Sequence, residues 1–133
     1  MREILFRGKD VKENWHIGLL AKSGNGWYIS NSAGKPLAYE VIPSTVGQYT
    51  GLTDMNGNKI FEGDILKRKH KELVNHSQKM TVNYIPYKAC FSAVDIGGGN
   101  VTFISDYINN KYELEVIGNS HDNPELLKEA EQE

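Results

Sequence analysis

The 133-residue chain alternates apolar and polar positions in short runs, punctuated by glycine, asparagine and proline. Period-two alternation sends successive side chains to opposite faces of a strand, so such runs predict half-buried β-strands. Residues 4–7 predict a first strand. Residues 15–20 and 27–30 flank Lys22-Ser23-Gly24-Asn25-Gly26. The Asn25-Gly26 pair there is a strong turn signal, so the segment predicts a hairpin with a tryptophan on each arm. Residues 39–42 stop at Pro43, which has no backbone donor for a ladder and so fits a strand end or edge. Residues 48–50, 60–61, 65–68, 80–96 (broken at Pro86), 101–108 and 112–117 predict the remaining strands.

Two stretches break the pattern. Residues 69–79 are polar and predict a mobile loop or an insertion. Near the end, Asp122 or Asn123 can cap a helix, Pro124 fits its first position and Glu125 its positive end. Leu126, Leu127 and Ala130 give it a narrow apolar face, so one short helix is predicted over 124–132. Short strands at turn-marked spacing argue against alternating βαβ units. The expectation is a single domain over residues 1–133, mostly β: a compact barrel-like or sandwich domain of short antiparallel strands with one short C-terminal helix.

Composition narrows the class. At 15.0 kDa, with 39% hydrophobic and 24% charged residues and a mean hydropathy of −0.50, the chain is globular, at the polar end. Its net charge of −2 argues against coating nucleic acid through overall charge. That charge is unevenly placed. Residues 65–88 carry six basic side chains and one acidic one, whereas residues 113–133 carry seven acidic side chains against the single Lys128. One cysteine, Cys90, allows no intrachain disulfide. The first residues hold no apolar run of signal-peptide length, and no stretch reaches a membrane span. A reducing cytoplasm and no membrane association are expected.

Three blocks resemble the YopX family of phage and prophage proteins: REILFR at residues 2–7, QYTGLTDMNGNKIFEGDIL at 48–66, and EVIGN followed by DNPELL near the end. Their order and spacing span nearly the whole chain, and the middle block is the specific one. The resemblance implies a phage-encoded intracellular protein with a mainly β fold. It implies no particular reaction, and residues 67–100 add almost nothing to it.

The middle block has two readings. Asp54, Glu62 and Asp64 could gather around a divalent cation, which wants several oxygen ligands. The residues after Asp54 are out of phase with a calcium loop, however. The favoured reading is a structural turn motif formed by Gly51, Asp54, Asn56, Gly57, Gly63 and Asp64. In it the aspartates accept backbone amides and the glycines take positive φ. The basic run offers a nucleic-acid contact through Lys67, Arg68, Lys69 and Lys71, with Tyr84, Tyr87 and Phe91 nearby for stacking. Its other reading is a solvated loop or edge strand, where charge blocks unwanted pairing.

The remaining candidates are thinner. His16, His70, His76 and His121 show no metal spacing, Cys90 has no identifiable base, and Gly97-Gly98-Gly99 continues as strand, so it reads as a turn. No catalytic, metal or cofactor site is expected. The expected function is a non-enzymatic accessory protein of phage or prophage origin. It would form a homo-oligomer and bind a phage or host protein partner in the bacterial cytoplasm. The alternative is a nucleic-acid-associated protein using Lys67–Lys71 in phage DNA replication or recombination.

Overall fold

The computed structural model describes residues 3–31, 38–72, 77–109 and 112–128. Among these residues the fold is mostly β, with two antiparallel sheets and one short α-helix. The chain divides into two compact units, Met1–Gly51 and Leu52–Glu133.

The first unit contains β1 (Phe6–Lys9), β2 (Trp15–Ser23), β3 (Gly26–Asn31), β4 (Ala38–Val41) and the start of β5 (Gly47–Thr53), in the order β4-β3-β2-β1-β5. The expected tryptophan hairpin is β2–β3, with its turn one residue earlier than predicted. Ser23 faces Gly26, so the connection is Gly24-Asn25. Gly24 has φ of +59°, the left-handed geometry that a two-residue hairpin loop asks of its first position. Leu20, Ile29 and Tyr39, and beside them Trp27 and Val41, lie in register on one face. Ile29 and Val41 are buried there.

β5 carries the chain into the second unit, where its hydrogen-bonded neighbour is β6 (Lys59–Phe61). The second sheet contains β7 (Asp64–His70), β8 (Ser77–Ile85), β9 (Cys90–Asp95), β10 (Val101–Phe103) and β11 (Tyr112–Asn119), in the order β10-β9-β8-β7-β11. Among the described residues neither sheet closes into a barrel. Ile60, Leu66, Met80, Val82, Ala93, Ile104, Tyr107 and Leu114 form the buried core of this unit.

Three expectations need correction. The α-helix is α1 (Ile104–Asn109), within a segment read as strand. Ile104 and Tyr107 are three apart, so an extended chain would send them to opposite faces, whereas one helical turn buries both. At the C-terminus, Pro124–Leu127 forms a single 3-10 turn. The Asn123 side chain does not cap it; its Oδ1 accepts from the Asn119 amide at 3.2 Å instead. Residues 129–132 of the expected helix lie outside the described residues. The predicted 69–79 loop is also shorter than expected. Lys69 and His70 belong to β7 and Ser77–Lys79 to β8, paired through Lys69 and Ser77, while residues 73–76 lie outside the described residues.

Candidate functional site

The middle motif builds turns at Met55–Asn56 and Glu62–Gly63, whereas Gly51 lies within β5. Asp54 is 6% exposed. Its Oδ1 accepts from the amides of Asn56 (2.9 Å) and Asn58 (2.8 Å), and its Oδ2 from Asn58 Nδ2 (3.3 Å) and from the Val116 amide of β11 (3.0 Å). Burial alone would raise its pKa, but these hydrogen bonds outweigh that and hold it below the usual carboxylate value. Asp64 is also buried, and its Oδ2 accepts from the Phe61 amide at 2.8 Å across the β6–β7 turn. Gly51, Gly57 and Gly63 have φ of 90°, 82° and 94°. Among the described residues, no group of three or more His, Cys, Asp or Glu could hold a metal ion.

The last motif locks onto the middle one. The Met55 amide donates to the Leu114 carbonyl, and the Ser120 amide to that of Gly63. Gly118 leaves room for Asn123, whose Oδ1 would lie 2.4 Å from a Cβ at that position. The residues shared by EVIGN and DNPELL are thus one packed turn.

The basic run is arranged differently from the solvated loop or edge strand expected of it. β7 is neither a loop nor an edge strand; it lies between β8 and β11. A central antiparallel strand can carry lysines where one sheet face is polar. Here β11 sets Glu115 opposite Lys67 and Glu113 opposite Lys69. Arg68 points the other way, toward the core. Its Nη1 donates to Asp95 Oδ1 at 3.2 Å and to the Tyr107 hydroxyl, and approaches Met80 Sδ at 3.7 Å. The guanidinium lies 4.7 Å over the Tyr107 ring and 5.5 Å over that of Tyr112. Lys71, exposed, follows the strand. Tyr84 and Phe91 meet edge to face at 5.3 Å, and Tyr87 stands 81% exposed in the Pro86–Lys88 turn.

Sequence reading missed the first unit. Asp10 Oδ1 accepts from the amides of Lys12 (2.8 Å) and Asn14 (3.0 Å), and its Oδ2 lies 2.8 Å from His16 Nε2. These bonds, the His16 one foremost, lower its pKa to about 2. A carboxylate that acidic only accepts, so the imidazole donates. His16 stacks on Tyr39 at 4.0 Å beside an open depression of about 210 Å³ lined by Trp15, His16, Ile17, Ile29 and Tyr39.

The opposite face of the same sheet carries Arg7, Lys9, Trp15, Ile17, Leu19, Ala21, Tyr28 and Glu40, as the strand registers require. Arg7 and Lys9 lie 4.9 and 5.7 Å over the Trp15 ring. Ile17 is 47% and Leu19 57% exposed, although both sit on the inner strand β2. The signal was present in the sequence: Trp15, Ile17, Leu19 and Ala21 alternate on one parity of a strand whose other parity already supplies Leu20 to the buried face.

Comparison with known proteins agrees with these motifs. The family model described as YopX protein matches residues 6–128. Comparison with curated proteins finds no match. Among solved structures, the crystal structure of protein EF1440 from Enterococcus faecalis resembles this chain with a TM-score of 0.62 at 24% identity, over 96% of this chain and 100% of that one. At that identity the likeness concerns the fold. No helix among the described residues is long and apolar enough to cross a membrane.

Proposed function

The chain belongs to the YopX family, and we propose that it is a phage- or prophage-encoded accessory protein without catalytic machinery. In this reading it self-associates and binds a protein partner in the cytoplasm of the bacterial host. The observation that carries it is the face of the first sheet on which Ile17 and Leu19 stand about half exposed in mid-sheet. Contiguous exposed apolar side chains on a folded surface mark interaction sites more often than chance positions. One further feature favours a protein partner over a nucleic acid. Arg68, the centre of the basic run, has its charge satisfied inside the second unit.

The test is the mass of the purified chain by light scattering, with and without a mixture of nucleic acids. The expected result is a particle heavier than 15.0 kDa whose mass the nucleic acids leave unchanged. A monomer that binds nucleic acid, with affinity falling steeply with salt and lost on changing Lys67, Lys69 and Lys71 to alanine, overturns the proposal in favour of the nucleic-acid reading.

A further inference from the structure

We infer that the partner of the exposed face of the first sheet is a second copy of this chain, docked face to face around Ile17 and Leu19. The inference rests on the self-associating part of the function proposed above and gives it a surface. Opposite charges flank the apolar centre of this face. Register puts Ile17 beside Arg7, Trp15 beside Lys9, and Tyr28 between Ala21 and Glu40. Across the sheet order β4-β3-β2-β1, the acidic Glu40 therefore stands on β4, and the basic Arg7 and Lys9 stand on β1. Ile17, Leu19, Ala21 and Tyr28 occupy the two strands between.

A surface with an apolar middle, one sign of charge at one side and the opposite sign at the other is complementary to itself under a twofold axis. Symmetric dimers use the same patch on both subunits, so every contact occurs twice. An axis lying between two such sheets, set diagonally to the strands, brings Glu40 of each copy over the Arg7 and Lys9 side of the other. Ile17 and Leu19 are then covered by the apolar centre of the partner. Trp15 belongs to the same surface: already overlaid by Arg7 and Lys9, it offers a rigid aromatic and cationic edge of the type enriched at interfaces.

Size sets the expected strength. Four strands at about 4.8 Å spacing make a face roughly 19 Å wide. Such a face falls short of the roughly 800 Å² on each partner that a standard-size interface buries. The dimer should therefore dissociate on dilution through the micromolar range.

Sedimentation equilibrium of the full chain at several concentrations tests this, with circular dichroism melts confirming that each variant folds. Leu19→Glu, on an exposed position, should weaken dimerisation at least tenfold. Glu40→Lys and Lys9→Glu should each weaken it, and an equimolar mixture of the two should recover a heterodimer. A wild-type dimer that all three variants leave intact overturns the surface while leaving self-association standing on some other face. A wild type that stays monomeric at several hundred micromolar overturns both. Nucleic acid bound by the wild type and lost in Lys9→Glu, without any dimer, would overturn both as well and assign this face to a nucleic acid.

Discussion

In the second unit, Arg68 lies over Tyr107 and Tyr112 with its charge taken up by Asp95, whose side chain is 8% exposed. In the first, Arg7 and Lys9 lie over Trp15 on a face shared with the half-exposed Ile17 and Leu19. The same chemical pair, a cation on an aromatic ring, serves different ends in the two places. Turned toward the core, it fixes a hydrogen-bonded junction among β7, β9 and α1. Turned outward, it leaves an aromatic and cationic edge on a surface that can meet something else. The surroundings separate the two: Arg68 meets a buried carboxylate and a tyrosine hydroxyl, whereas Trp15 and its two cations share a face with half-exposed aliphatic side chains.

That contrast gives its largest effect at Arg68. Replacing it with alanine leaves Asp95 and the Tyr107 hydroxyl without their shared donor, and removing one partner of a buried pair costs about 3–5 kcal/mol. Urea unfolding should show a loss in that range for Arg68→Ala. A smaller but clear loss is expected for Arg68→Lys, which keeps the charge but not the planar fork. Lys9→Ala, which removes one outward cation from Trp15, should cost about 0.5–1 kcal/mol, as exposed cation–ring contacts do. Equal losses at the two sites would erase the distinction between them.

Next in size is Asp54, and here pH sharpens the comparison with Asp10. Removing the Asp54 carboxylate strands the Asn56, Asn58 and Val116 amides, and orphaned buried donors cost about 1–3 kcal/mol each before relaxation or water compensates. Asp54→Ala should therefore lower stability at neutral pH by about 2–3 kcal/mol. The folded-state pKa of Asp54 is below its ordinary value of 3.8, so the unfolded chain takes up a proton first. Its stabilising contribution is complete above 3.8 and is lost as pH falls through that value toward the folded one. Denaturation curves of wild type and Asp54→Ala should thus converge on acidification below about pH 4.

Asp10 follows the same sign, with its window running from 3.8 down to about 2. Because its loop is exposed to solvent and salt, the gap between wild type and Asp10→Asn should be smaller than the Asp54 gap at every pH. A larger gap would mean that the Asp10–His16 bond holds the first unit together as Asp54 holds the second.

The sequence announced the strands and turns where local chemistry decides them. Asp54, Asn56, Gly57 and Gly63 were legible because a turn needs φ of that sign and a nearby acceptor, whatever surrounds it. Residues 101–108 were misread as one strand because Val101-Thr102-Phe103 has strand chemistry and the next residues do not contradict it. Only the core shows that Ile104 and Tyr107 must share a face. The C-terminal helix failed for a local reason instead, since Asn123 turns its side chain back to the Asn119 amide four residues earlier.

At the candidate sites, composition pointed to KRKHK as a unit, but position within the sheet separates its members. Alternation sends Arg68 to one face and Lys67 and Lys69 to the other, and which strand lies beside them cannot be read from the run itself. The outward face of the first sheet was legible in part. Trp15, Ile17, Leu19 and Ala21 show the alternation, yet only the burial of the opposite face shows that theirs is the exposed one.

The smallest expected effect concerns those two lysines. Lys67 faces Glu115 and Lys69 faces Glu113 across β7 and β11, on partly or fully solvated positions. Opposite charges in such pairs are worth about 0.2–1 kcal/mol, and water and salt reduce that further. Lys67→Ala and Lys69→Ala should each move stability by no more than about 0.5 kcal/mol. Reversing the pair, with Lys67→Glu alone and then together with Glu115→Lys, should lose and then recover a few tenths of a kcal/mol. This pair is the second unit's counterpart to Arg7, Lys9 and Glu40 on the first. In the second unit opposite charges meet on adjacent strands of one chain; in the first two strands lie between them, carrying apolar side chains. A cost well above 1 kcal/mol at Lys67 would show that its face is covered rather than solvated.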